Sequence, residues 1–145
     1  MNKPVIRHCS GWRCRSLFAV LLLGVVAPCG AAQDAGPTYT AEQAARGQAA
    51  YQHSCQACHG PGLDDGDFGG APLRGSWFRQ HWGAGDAATL FSYLKAAMPP
   101  DNPGALTDKT YADILAFILK GNDYPPGQAE LPPDADALQR MTLAR

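Results

Sequence analysis

The chain has 145 residues, enough for one compact domain, and carries 12 Lys and Arg against 13 Asp and Glu. All four charged residues among the first 32 are basic, so the rest has eight basic and 13 acidic side chains and a formal charge of −5. Nucleic acids and anionic membranes are bound through surplus positive charge, so both are disfavoured as partners and a basic protein surface is favoured.

Residues 1–32 have the order of a secretory signal peptide. A basic stretch is followed by an apolar run, Leu17 to Ala27, and then by small residues. That run of 11 residues falls short of the roughly 20 that a membrane-spanning helix needs, which disfavours a retained anchor. Lipidation of Cys29 is a further alternative, but the residue before it is a proline rather than a small residue. We expect cleavage near Ala32 and a protein of the periplasm.

After a short linker at 33–39, a first helix is expected from Thr40. Thr40 and Gln43 have the spacing of a capping box before an Ala-rich stretch. Gly47 and Tyr51 are four residues apart and so share one face of this helix. Because a helical Gly costs about 1 kcal/mol relative to Ala, we expect Gly47 to allow the close approach of another helix.

The next motif is Cys55-Gln56-Ala57-Cys58-His59, the Cys-x-x-Cys-His pattern of c-type haem attachment. Two thiols at this spacing can form thioethers with the two vinyl groups of one porphyrin, and the histidine that follows is then held under the iron. Cys-x-x-Cys also occurs in zinc sites and in thioredoxin-like sites. Zinc would need two more suitably spaced ligands, and a thioredoxin fold would need strands alternating with helices. The motif therefore predicts one covalently bound haem c, with His59 as its proximal ligand.

Residues 60–84 are rich in Gly, Pro and Asp, which predicts a long loop. Loops of this length often wrap a ligand, and haem would supply the apolar surface that a small domain lacks. Asp64, Asp65 and Asp67 could be interpreted as a calcium loop, but no Glu follows at the EF-hand position. A solvated loop is the favoured interpretation.

A helix over about Ala87 to Ala97 is expected to deliver the sixth iron ligand. It leads into Met98-Pro99-Pro100, where two prolines fix the backbone directly after a methionine. Methionine or histidine usually fills this position in cytochromes c, so Met98 is the favoured ligand. The alternatives are Met141, His81 and His53.

The stretch from Thr107 to Lys120 has the apolar spacing of an amphipathic helix, with a capping residue at its start and Gly121 at its end. It is the expected partner of Gly47. Residues 40–124 would then form the domain, and 125–145, which contain four prolines, an extended strap or a loose end.

These residues resemble the class I cytochrome c family over about Tyr39 to Tyr124. The most specific segments are Gly47-x-x-x-Tyr51-x-x-x-Cys55-x-x-Cys58-His59-Gly60 and Met98-Pro99-Pro100-x-x-Pro103-Gly104-x-Leu106. The chain looks closest to the small cytochromes linked to bacterial quinoprotein alcohol dehydrogenases. The resemblance implies an all-α fold in which three main helices and their loops surround one covalently bound haem.

For the site, the resemblance implies thioethers at Cys55 and Cys58 and axial ligation by His59 and Met98. It also implies that a proline carbonyl, here that of Pro72, accepts the proton of the proximal imidazole. Trp77, Trp82 and Arg74 would be neighbours of the haem propionates.

The function expected from these features is that of a one-electron carrier rather than an enzyme. The resemblance implies a quinoprotein dehydrogenase as donor and a terminal oxidase or another cytochrome as acceptor. The alternatives are a haem-containing subunit of a larger oxidoreductase, and a haem enzyme or gas sensor with an open sixth position.

Overall fold

The computed structural model describes residues 36–66 and 68–145, and these residues form helices and loops without a β-strand. The helices are α1 (Ala41–Ser54), α2 (Gln56–His59), α3 (Gly75–His81), α4 (Ala87–Ala97), α5 (Asp108–Gly121) and α6 (Ala135–Leu138). The predicted all-α class is confirmed, and the three longest helices are the three predicted from the sequence. The signal peptide, the start of the linker and Asp67 lie outside the described residues. No described helix is long and apolar enough to cross a membrane.

The start of α1 shows half of the predicted capping box. Thr40 Oγ1 accepts a hydrogen bond from the Gln43 backbone N–H at 3.1 Å. The Gln43 side chain does not return to Thr40 but bonds the backbone of Leu131, donating to its carbonyl at 3.0 Å and accepting from its N–H at 2.8 Å. Since Gln43 is buried, its amide needs both partners, and the C-terminal tail supplies them.

Helices α1 and α5 cross in close contact at Gly47, as the sequence predicted. A Cβ atom at Gly47 would overlap the carbonyl group of Asp113, so any larger residue would push the two helices apart. Four residues further along α1, the ring of Tyr51 packs on Phe117 with centroids 5.1 Å apart. The crossing therefore fixes the end of α1, where the Cys-x-x-Cys-His motif begins, against the middle of α5.

A charged cluster closes the outer edge of this crossing. Arg46 makes two hydrogen bonds of 3.0 Å to the Asp113 carboxylate, and Lys109 Nζ adds another at 3.0 Å. Glu130 of the tail pairs with Arg46 at 2.7 Å. Burial alone would raise the pKa of Asp113, but the hydrogen bonds and positive charges of Arg46 and Lys109 outweigh burial and lower it.

The segment after Tyr124 packs against the helices at three separate points. Leu131, Leu138 and Leu143 are buried in the core. The backbone N–H of Leu143 donates to Gly85 O at 2.9 Å, and Asp86 pairs with Thr142 in an isolated antiparallel bridge. We call this segment, residues 125–145, the strap; it includes the short helix α6 and is not extended throughout.

The ion pairs of Asp113 make stability depend on pH. We expect Asp113→Asn to lower the free energy of unfolding by about 1–3 kcal/mol at pH 7, because hydrogen bonds to a charged group contribute about that much. The folded-state pKa of Asp113 lies below its unfolded value near 4, so this difference should hold above about pH 4 and vanish as the pH falls through the folded-state pKa. Urea unfolding of both proteins from pH 7 to pH 3 measures it. Asp136→Asn, at an exposed position, is the control, and a difference that stays constant over this range would contradict the prediction.

Candidate functional site

A cavity of about 710 Å³ opens between the ends of α1 and α4, the segment 68–73 and one face of α5. Its volume lies in the range of ligand and cofactor sites. Its walls are mainly apolar, with Leu73, Leu90, Leu94, Ile114 and Ile118 among the lining residues. The same cavity is lined by Cys55, Cys58, His59 and Met98, so the four side chains expected to hold a haem share one site.

The two cysteines lie at the junction of α1 and α2. The Cys55 N–H still bonds the Tyr51 carbonyl at 2.9 Å, while the Cys55 carbonyl accepts from the N–H groups of Cys58 and His59, so the motif is wound into one tight turn. Both thiols are free. Burial, with a smaller contribution from Cys58, raises the pKa of Cys55 to about 11, which keeps its sulfur neutral. A pair of partly buried, free cysteines in one turn suits two thioether bonds to one porphyrin.

His59 is buried and its imidazole is held by a backbone carbonyl. Nδ1 lies 2.8 Å from Ala71 O. Because a carbonyl can only accept, Nδ1 carries the proton, and Nε2 keeps its lone pair for a metal. The predicted acceptor, Pro72, is therefore wrong by one residue: the turn after Gly70 aims the carbonyl of Ala71 at the ring.

Gly70 permits this approach between the loop and the histidine. Its N–H bonds Cys58 O at 3.2 Å, and a Cβ atom there would lie 2.5 Å from the same oxygen and 2.9 Å from His59 Nδ1. Distances below 3.0 Å from a Cβ atom require the neighbour to move, and here the neighbours are the motif's own backbone and ring. No larger residue could occupy this position without displacing His59.

Met98 is the residue that ends α4, and its backbone is bonded on both sides. Its N–H donates to Leu94 O at 3.0 Å, and its carbonyl accepts from the Tyr111 hydroxyl of α5 at 2.7 Å. Pro99 and Pro100 follow and also line the cavity. The thioether is thus carried on a backbone fixed to two helices.

The alternative distal ligands are placed differently. His81 is exposed, stacks on Trp77 with centroids 3.7 Å apart, bonds the Trp77 carbonyl, and is not among the cavity residues. Met141 is also outside the lining. His53 does line the cavity, but it is exposed and lies on the last turn of α1, the helix that leads into His59.

One buried polar atom tests whether these residues fit a haem. Trp82 lines the cavity, and its buried Nε1 has no hydrogen-bond partner among the described residues. A buried N–H without an acceptor costs about 1–3 kcal/mol, and a propionate carboxylate would remove that cost. Trp77 lines the cavity as well, whereas Arg74 does not and pairs with Asp64 at 3.5 Å. The donor set, the apolar walls and the orphaned indole N–H therefore fit a haem.

Two contributors were missed by the sequence analysis. Ala71 acts through a backbone carbonyl, which every residue has, so no side chain marks it. Gly70 had a signal, since it follows Gly69 a few residues before Pro72, but a glycine pair in a loop is ordinary.

Replacing Gly70 should disturb the proximal histidine. Because Gly70→Ala overlaps Cys58 O and crowds His59 Nδ1, we expect the free energy of unfolding to fall by about 1–3 kcal/mol. We also expect a displaced His59 ring resonance in NMR spectra. Gly85→Ala is the control, because a Cβ there makes only an ordinary contact of 3.5 Å. Equal behaviour of the two variants would show that Gly70 is not a close-approach position.

Comparison with known families gives a match over most of the described helices. The family model described as cytochrome C oxidase, cbb3-type, subunit III matches residues 42–118, which is more than half of the chain. The comparisons with curated proteins and with solved structures return no match. The matched segment runs from α1 into α5 and contains Cys55, Cys58, His59 and Met98. By this match and by its helical fold around the cavity, the chain belongs to the cytochrome c family, in its cbb3-type subunit III branch, and is a haem electron-transfer protein.

Proposed function

We propose that this protein is an exported monohaem c-type cytochrome that carries single electrons between larger redox proteins. The observation that carries the proposal is the shared cavity of His59 and Met98, with the Cys55 and Cys58 thiols beside it. The first 32 residues, with their basic start and apolar run, support export to the periplasm.

In this proposal each residue has one task. Cys55 and Cys58 would form the thioethers, His59 Nε2 and the Met98 sulfur would ligate the iron, and the Trp82 N–H would bond a propionate. Ala71 holds the proton on His59 Nδ1, which fixes the tautomer and the ring plane. The fixed backbone on either side of Met98 limits how far the thioether can move away.

Ligation of the iron by both His59 and Met98 would favour an electron carrier over a catalyst. When bound in this way, haem supplies a one-electron Fe(III)/Fe(II) couple, and a neutral thioether ligand favours a higher potential. Tyr111 and the prolines after Met98 oppose opening of the sixth position to oxygen or peroxide. The arrangement therefore supports electron transfer over a peroxidase or gas-sensing role.

The surface around the cavity supports transient docking of a partner. The exposed large apolar side chains of the described residues are Phe68 and Tyr93, and both line this cavity. A small apolar contact with charges around it is typical of short-lived redox complexes, which bury less than about 1,200 Å². The formal charge of −5 after residue 32 favours a basic partner surface.

For the partners, we propose a quinoprotein alcohol dehydrogenase as donor and a terminal oxidase or another cytochrome as acceptor, on the resemblance to small cytochromes of that kind. The family description favours a second candidate, in which the chain is a permanent subunit of a larger oxidoreductase such as an oxidase. Both candidates use the same haem site and differ only in whether the partner dissociates.

Substitution of Met98 tests the closed haem site. The ferric wild-type protein should show the weak long-wavelength band of methionine sulfur ligation, and Met98→Ala should lose it and bind CO rapidly when reduced. Met141→Ala is the matched control, because Met141 does not line the cavity, and it should behave as wild type. Absence of the band in the wild-type protein would favour ligation by a second histidine or an open site. An open site would in turn favour an enzyme or a gas sensor over an electron carrier.

The partners are tested by stopped-flow mixing with a reduced quinoprotein alcohol dehydrogenase. We expect electron transfer that slows as ionic strength rises, since opposite charges steer the encounter. Transfer too slow to support turnover would reject this donor. Co-purification of a stable complex from the native source would favour the permanent subunit instead.

A further inference from the structure

Asn122 is a buried polar residue at the end of α5 that the site described above does not yet use. It caps the helix and is 4% exposed. Its Nδ2 group donates to Leu73 O at 2.8 Å and to Ile118 O at 2.9 Å, and its Oδ1 accepts from Gly75 N–H at 3.0 Å. The amide therefore uses both donors and one acceptor to join the last turn of α5 to the loop before α3.

That loop is the one that presents the Ala71 carbonyl to His59. It is held at its start by the bond from Gly70 N–H to Cys58 O, at 3.2 Å. Further along, Leu73 N–H bonds Leu63 O at 2.6 Å, and the Leu73 carbonyl and the Gly75 N–H are held by Asn122. Ala71 lies between these anchors, so the position of its oxygen depends on both.

We propose that Asn122 is a positioning residue for the proximal ligand: it fixes the Leu73–Gly75 segment and through it the hydrogen bond from His59 Nδ1 to Ala71 O. The inference rests on the proposed ligation of haem iron by His59 and assigns to that site a residue 63 positions further along the chain. Asn122 touches neither His59 nor the haem in this account, and acts only through the loop.

The chemical composition of the side chain explains why an amide is needed. A carboxylate could not donate to the two carbonyls, an aliphatic side chain could make none of the three bonds, and a hydroxyl is too short to span from α5 to the loop. Glycine, which often follows the end of a helix, would satisfy the backbone turn but leave the Leu73 carbonyl and the Gly75 N–H buried without this partner.

The consequence for the site is electronic. A short, well-aligned bond from Nδ1–H to a carbonyl makes Nε2 a stronger donor, which stabilises ferric over ferrous iron. If the loop relaxes, that bond lengthens and His59 becomes a weaker donor to the iron. The ferrous form is then stabilised relative to the ferric form. Loss of Asn122 should therefore raise the reduction potential.

The test compares Asn122→Ala, Asn122→Ser and Gln43→Ala in the haem-loaded full chain. Gln43→Ala is the matched control, because Gln43 is also a buried amide bonded to backbone groups, but its partner is Leu131 in the tail. Asn122→Ser is included in case Asn122→Ala does not fold. The serine hydroxyl can still bond the Ile118 carbonyl within α5 but cannot reach the loop. The readouts are the melting temperature, the reduction potential, and solvent exchange of the His59 Nδ1 proton by NMR of the ferrous protein.

We expect all three variants to melt at lower temperature, but only the two Asn122 variants to change the site. At a fixed solution potential their ferrous-to-ferric ratio should rise by about threefold to tenfold, where tenfold is about 59 mV for one electron. Their Nδ1 proton should exchange about tenfold faster than in the wild type, and Gln43→Ala should keep wild-type values of both.

The inference would be overturned if Asn122→Ser kept the wild-type reduction potential and the wild-type exchange rate of the His59 Nδ1 proton. It would also be overturned if Gln43→Ala changed both quantities as much as the Asn122 variants do. Neither outcome would contradict ligation by His59. Failure of the proposed function is recognised separately, by a wild-type spectrum without low-spin, histidine-ligated haem.

Discussion

The close crossing of α1 and α5 at Gly47 is the constraint on which the rest of the structure depends. Because a glycine lies against the Asp113 carbonyl, the two helix axes come near enough for Tyr51 to pack on Phe117. That contact sets the distance between the Cys-x-x-Cys-His turn at the end of α1 and the wall formed by Ile114 and Ile118 of α5. A cofactor site whose two sides belong to different helices needs such a fixed separation. Here the absence of a side chain at Gly47 determines it.

Apolar side chains and hydrogen bonds have different roles in the cavity. Leucine and isoleucine side chains supply low-dielectric walls, which strengthen the few polar interactions that remain inside. Those interactions are placed on backbone groups that the helices and loops already fix, such as Ala71 O for His59 and the Met98 carbonyl for Tyr111. The ligands are thus oriented by the fold and not by further charged residues.

The sequence predicts the features that depend on local pattern. The spacing of Tyr111, Ile114, Leu115, Ile118 and Leu119 indicated α5, the glycine on α1 indicated the crossing, and the Cys-x-x-Cys-His motif indicated one side of the cavity. It does not predict features in which the backbone acts at long range. Ala71 has no side-chain signature, so the proximal carbonyl was assigned to Pro72. Gln43 matches a capping box, but its side chain bonds Leu131 of the tail, and no local pattern marks the contacts of Asn122 with Leu73 and Gly75.

The strap formed by the last 21 residues also bears on the order in which the chain can fold. Gln43 and Leu131 are 88 residues apart, and Arg46 and Glu130 are 84 apart, so α1 gains these partners only when nearly all of the chain is present. Contacts this distant in sequence form late, since the intervening loop must close first. No residue of the strap lines the cavity, so these late contacts hold the start of α1 and not the turn that bears Cys55 and Cys58. The walls of the cavity, which come from α1, α4, α5 and the loop before α3, can therefore come together before the strap closes, and both thiols stay open to the cavity after it has closed.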